Sequence, residues 1–186
     1  MSASRYHDLL ALMVGLAVLI ADQITKMWIV QYFGVEGLRP PIPVFGDILT
    51  LFYVQNTGVA FSLFEGQNIK FVLIALAFGL ICYLYWRFRE SASIWLRLGF
   101  ALVLGGACGN LLDRVARGFV VDFVHFQIPG VFNFAVFNVA DSAITVGVVV
   151  IALCLYRVSG SAVPTAAATK GERMATSGGQ RAGERR

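Results

Sequence analysis

Charge is scarce in this chain: 14% of its 186 residues are Asp, Glu, Lys or Arg, against 58% hydrophobic ones, and the mean hydropathy is +0.72. That balance excludes an ordinary soluble globular domain, in which about 25% of residues are charged. Cysteine and histidine are scarcer still. Cys82, Cys108 and Cys154 all fall inside apolar runs, which leaves no disulfide framework and no zinc-ligand spacing. The only histidines are His7 and His125, and there is no His-Glu-x-x-His helix, so a zinc peptidase of that kind is excluded. His125 alone is weak ground for a metal or base, and no metal or organic cofactor is expected. The first apolar run also lacks the small-residue cleavage site of a secretory signal. Asp22-Gln23 and Lys26 stand in its place, so the run reads as a retained helix.

Four long apolar runs are present: Leu9 to Val30, Ile69 to Trp86, Ile94 to Leu112 and Asn138 to Tyr156. Each is close to the roughly 20 residues a helix needs to cross a bilayer core. The expected fold is an α-helical membrane protein with four transmembrane helices, about 9–30, 69–86, 94–113 and 138–156. Outer loops at about 33–68 and 115–137 would supply a small extracytoplasmic β-hairpin or sheet and an interfacial loop. Residues 1–158 then form one membrane domain, and 159–186, rich in Ser, Ala, Thr, Gly and charge, form a disordered cytoplasmic tail. The tail bases Lys170, Arg173, Arg181, Arg185 and Arg186, with Arg157, supply much of the net charge of +4, which therefore says nothing about nucleic acid.

Arg87, Arg89 and Arg97 flank the connection between the second and third runs, and Arg5 and Arg157 flank the two ends. The positive-inside rule places that connection and both termini in the cytoplasm, against opposing bases at Arg39, Lys70, Arg114 and Arg117. The outer connections are unusually apolar. Pro40, Pro41 and Pro43 forbid regular helix, Ile48 to Gln55 reads as a strand, Asn56-Thr57-Gly58 can turn the chain, and Val59 to Phe64 can return it. Such a hairpin would lie on the membrane surface. Phe119 to Phe137, which holds Asp122 and His125 among apolar residues, should sit at headgroup level.

The informative polar residues gather at one end of three runs. Asp22 and Lys26 come late in the first, Asn110, Asp113 and Arg114 close the third, and Asn138 and Asp141 open the fourth. With four crossings these ends share the outer side. A carboxylate near hydrocarbon costs at least a few kcal/mol, so a cluster of them marks a functional site. Asp22 and Lys26, four residues apart, share a helix face and read as a structural ion pair holding the first helix to the bundle. Gly105 and Gly109 give the Gly-x-x-x-Gly spacing of close helix packing. Two neighbouring carboxylates that share a proton can hydrolyse an amide, one taking a proton from water and the other polarising the carbonyl. Asp113, Asp122 and Asp141 are all candidates, and spacing does not choose among them. A small transporter or proton channel is the alternative, weakened by the absence of paired repeats and interrupted midplane helices. A non-catalytic scaffold that binds a partner helix is a third.

Five blocks add a resemblance that covers about residues 8 to 157. They are Asp22-Gln23-Ile24-Thr25-Lys26, Asn56-Thr57-Gly58-Val59-Ala60-Phe61, Gly105 through Arg114, Gly118 through Phe123, and Phe137-Asn138-Val139-Ala140-Asp141. In this order they resemble the signature of bacterial lipoprotein signal peptidase, or signal peptidase II. The resemblance implies an aspartic endopeptidase of the bacterial inner membrane, its active site facing the extracytoplasmic side. It would cleave diacylglyceryl-modified prolipoproteins just before the lipidated cysteine. By the same resemblance Asp122 and Asp141 are the catalytic dyad, and Asp22, Lys26, Asn56, Gly106, Asn110, Arg114, Asn138 and Ala140 support substrate and dyad. Asp113 is then a neighbour of the site. The expected partners are prolipoprotein substrates and membrane lipid, and a monomer is expected.

Overall fold

The computed structural model describes residues 3–34, 37, 39–58, 79, 81–83, 85–87 and 93–161. Its elements run α1 (Ala3–Phe33), β1 (Ile42–Phe45), β2 (Leu49–Asn56), α2 (Ile94–Arg117), β3 (Val120–Ile128), β4 (Phe132–Asn133) and α3 (Val139–Ser161). Among the described residues three helical stretches are long and apolar enough to cross a bilayer: Arg5–Phe33, Ile94–Arg117 and Val139–Arg157. Even the shortest, at 19 residues, spans about 28 Å, close to the bilayer core. Most of the expected second span lies outside the described residues, although 81–83 and 85–87 are helical.

Two compact units are distinguished, Met1–Ala152 and Leu153–Arg186. The first holds α1, α2, every strand and the body of α3. In the second, the described residues are the end of α3, which stays helical to Ser161 and so overruns the expected start of the tail; 162–186 lie outside the described residues.

Glycine sets the helix spacing within the first unit. Gly105 of α2 lies so near α1 that a β-carbon there would sit 2.5 Å from the Gly15 carbonyl oxygen. Gly109, one turn on, faces Asp22 of α1. Gly99 and Gly106 do the same toward α3, where their β-carbons would meet the carbonyl oxygens of Gly147 at 3.1 Å and Ala140 at 2.5 Å. The small-residue run of α2 thus packs on both neighbours, as its spacing suggested. Ser93 caps α2 by accepting from the Leu96 N–H at 3.3 Å. Gly118 ends it at φ 82°, a left-handed conformation that glycine adopts without strain.

The extramembrane connections depart from expectation. β2 coincides with the expected strand, but its partners are β1 and β3, giving an antiparallel sheet in the order β1-β2-β3-β4. The expected return strand Val59 to Phe64 lies outside the described residues. The expected interfacial loop 115–137 is corrected: its centre is β3, hydrogen-bonded to a strand about seventy residues earlier. Val120, Val121, Phe123 and Val124 are strong strand formers whose partner is remote in sequence, so local reading sees aromatics and misses the ladder. Pro43 sits in β1, an edge strand, where a missing N–H is tolerated. Ile29 and Phe33 of α1 form one core with Val121 and Phe123 of β3, which fixes the sheet to the end of α1.

Candidate active site

Three helix ends and the root of the sheet meet around Lys26. This side chain is fully buried, and its ammonium group satisfies all three donors: Asp22 Oδ2 at 2.9 Å, Asp113 Oδ2 at 3.0 Å and Asn110 Oδ1 at 2.9 Å. The expected Asp22–Lys26 pair is present, and Asp113 extends it. Asp22 reaches α3 as well, its Oδ1 accepting from the Ala140 N–H at 3.0 Å, while Gln23 bridges Asp22 and the Gly109 carbonyl. Asp113 is saturated by Lys26, by Arg117 and by the Val121 N–H at 3.1 Å. Its carboxylate is ion-paired through both oxygens and braces α2 against β3.

Asp122 and Asp141 stand on the other side of this frame. Asp122, on β3 and 2% exposed, accepts at Oδ1 from the Asn138 side-chain amide at 2.7 Å and at Oδ2 from that of Asn56 at 2.8 Å. Both amides are pinned. Asn56 Oδ1 accepts from the Gly58 N–H at 2.8 Å, and Asn138 Oδ1 accepts from the Asp141 N–H at 2.9 Å, so each turns its NH₂ toward Asp122. Asp141 returns the contact, its Oδ2 accepting from the Asn138 N–H at 3.2 Å. Asn138 and Asp141 therefore form a reciprocal capping box at the start of α3. Asp141 Oδ1 accepts from the Asn110 amide at 2.8 Å. Since Asn110 Oδ1 also accepts from Asn138 at 3.2 Å, the two carboxylates are joined through two amides.

Every sequence-predicted site residue lies in or against this assembly. Gly106 makes room for Ala140, and Arg114 donates to the Asn110 carbonyl at 3.4 Å. Gly109, Gln23 and Arg117 were not singled out for the site. Arg117 was legible as the i,i+4 partner of Asp113, whereas Gln23 and Gly109 show their part only through contacts across helices.

Charge accounting separates the two groups. Asp22 and Asp113 are balanced by Lys26 and Arg117. Arg114 is left within electrostatic reach of Asp122 and Asp141, so one added proton makes the whole cluster neutral. Burial pushes the Asp122 carboxyl up to about 6; the Asp141 charge acts in the same sense, while the Asn56 and Asn138 amides and Lys26 oppose it. The proton has a place to reside. Among the described residues no group of three or more His, Cys, Asp or Glu side chains is placed to hold a metal ion.

The family model described as signal peptidase (SPase) II matches residues 14–157. The chain belongs to the signal peptidase II family. Lipoprotein signal peptidases of Streptococcus pyogenes serotypes M3 and M5 are each 38% identical to it over 146 residues, 77% of this chain and 91% of theirs. Two solved structures of a bacterial membrane enzyme, obtained by the in meso method at 1.9 and 2.3 Å resolution, are similar with TM-scores of 0.66 and 0.68. Both are 28% identical, covering 78% and 83% of this chain and 91% and 92% of theirs. Signal peptidase II is an aspartic peptidase family, so this membrane protein is an enzyme, and the transporter and scaffold alternatives lose their support.

Proposed function

We propose that this signal peptidase II removes signal peptides from diacylglyceryl-modified prolipoproteins, cutting just before the lipidated cysteine, with Asp122 and Asp141 as its catalytic dyad. The observation that carries the assignment is the pair of amide-bridged carboxylates beside an internally neutral frame. The pair shares one proton, and burial, which raises the Asp122 carboxyl, favours its residence there. A water between them gives a proton to Asp141 and adds its oxygen to the scissile carbonyl carbon, while Asp122 protonates the carbonyl oxygen. As the gem-diol collapses, Asp141 gives its proton to the leaving nitrogen, the C–N bond breaks, and a gem-diol proton returns to Asp122. No acyl-enzyme forms. Asn110 and Asn138 hold the carboxylates, and Arg114 balances the charge.

The proposed membrane arrangement has four spans, the second across about 69–86, with both termini cytoplasmic. Residues 1–158 are the catalytic domain and 159–186 a cytoplasmic tail. The dyad then faces the extracytoplasmic side of the bacterial inner membrane, where the acyl chains of a lipidated cysteine hold the scissile bond at the interface. Substrate enters from lipid, and the enzyme works as a monomer.

The test is cleavage of a diacylglyceryl-modified prolipoprotein by purified parent, Asp122→Asn and Asp141→Asn proteins, with folding of each checked. Each substitution is expected to lower turnover by about 10²–10⁴-fold, the usual worth of a general acid or base. A folded variant that cleaves at the parent rate would remove that residue from the dyad.

A further inference from the structure

The far end of the sheet is apolar, and among the described residues its large side chains are exposed. Ile128 of β3 pairs with Phe132 of β4, and Phe126 pairs with Leu49 at the start of β2, just after the turn that carries Phe45. The Gln127 N–H donates to the Ile48 carbonyl at 2.9 Å, joining this turn to the β3–β4 hairpin. Val131 is 81% exposed and Phe45 69%, with Phe126, Ile128, Phe132 and Phe134 exposed beside them. Asp47 is the only charge within 42–49, and 126–134 has none. In water an apolar patch of this kind on a short edge invites association.

The level at which the sheet leaves the bundle identifies what covers it. Its core is anchored on Ile29 and Phe33 of α1. In the same two turns Trp28 and Tyr32 are exposed and stacked at 5.6 Å between ring centroids, and the Arg39 guanidinium lies 4.8 Å from the Tyr32 ring. Exposed Trp and Tyr capped by an Arg at the end of an apolar helix mark the boundary between hydrocarbon and headgroups. The sheet is therefore rooted at that boundary. From Val120 beside the bundle to Ile128, β3 extends about 26 Å. A strand of that reach, leaving at headgroup level and ending in uncharged aromatic and aliphatic residues, is suited to lie along the membrane.

We infer that the sheet tip formed by Phe45, Phe126, Ile128, Val131, Phe132 and Phe134 inserts into the acyl region of the outer leaflet as a second, non-helical membrane anchor. Its occupant is bilayer lipid. Asp122 lies on the same strand as the anchor, so the tip would hold the outer end of the strand that carries this carboxyl at the membrane where a lipid-borne substrate arrives. The inference rests on the membrane-spanning reading of α1 and not on peptidase chemistry, which the first test below does not use.

Single tryptophans placed by Val131→Trp or by Phe132→Trp, in full-length chains whose Trp28, Trp86 and Trp95 are changed to Phe, read the anchor directly in proteoliposomes. Emission from both positions is expected to shift to the blue, to lose most of its intensity when the lipid acyl chains carry bromine, and to resist aqueous iodide. Emission quenched by iodide and indifferent to bromine would place the tip in water and overturn the inference. Indifference to both quenchers would show the tip covered by protein, such as a second copy of this chain, and would overturn it equally. In a second test, Val131→Asp with Phe132→Asp should raise KM for a bilayer-embedded prolipoprotein several-fold with kcat retained. An unchanged KM would remove the link between the anchor and the active site.

Discussion

Three asparagine side chains hold the two acids, and amides do not titrate in the working pH range. The pH profile should therefore report the carboxyl pair alone. With Asp122 protonated up to about 6, kcat/KM is expected to fall as pH rises through that value, measured as initial rates with the fold monitored in parallel. The sign for stability follows from the same shift. A carboxyl whose folded-state pKa is raised stabilises the fold at low pH, and this contribution is lost as pH rises from about 4 to about 6. Asp122→Asn should remove that slope. Lys26 supplies a second test, because Lys26→Met leaves Asp22 and Asp113 buried without their shared cation. Breaking such a buried network costs about 3–5 kcal/mol, readable by denaturant titration in detergent. At this scale the sequence was generous. Polar residues are rare enough in apolar runs that each one declared itself, and the family resemblance, not spacing, sets Asp122 and Asp141 apart from Asp113 as the proposed dyad. The saturation of Asp113 by Lys26, Arg117 and Val121 needed three dimensions, since only Arg117 is a local neighbour.

The elements divide into those whose causes are local and those whose causes are remote. Helices α1, α2 and α3 follow from continuous apolar length, and their existence was legible. Their ends were less so: α1 runs to Phe33 and α2 to Arg117, because a membrane helix continues until a cap such as Gly118 stops it. β2 was recognised from its composition, whereas its pairing with β3 depends on residues far along the chain. The glycines of α2 make the packing testable. In Gly106→Ala the new methyl would meet the Ala140 carbonyl oxygen at 2.5 Å and Ile144 at 2.9 Å, and a backbone atom cannot move aside cheaply. We expect a loss of about 1–3 kcal/mol together with reduced turnover, since displacing the first turn of α3 displaces Asp141. Gly118→Ala is the control. It meets nothing within 4 Å but must hold φ 82°, so it should cost about 1–2 kcal/mol through strain and leave activity intact. Thermal melting paired with initial rates distinguishes the two outcomes.

For the molecule as a whole, the basic residues beside the spans set the proposed topology. A green fluorescent protein fused after Arg186 should fluoresce in cells, and an alkaline phosphatase fused there should be inactive; the reverse pattern would invert every assignment of side. The site draws on Asp22 and Lys26 near the start of the chain, Asn56 after the first strands, Asn110 on α2, Asp122 on β3 and Asn138 with Asp141 at the head of α3. That long-range wiring has a consequence for biosynthesis. The acids are brought together only when the last helix has entered the bilayer and Ala140 has met Asp22. With Asp122 and Asp141 as the proposed dyad, a nascent chain in the translocon carries no assembled pair of acids, and proteolytic capacity waits on completion of the fold.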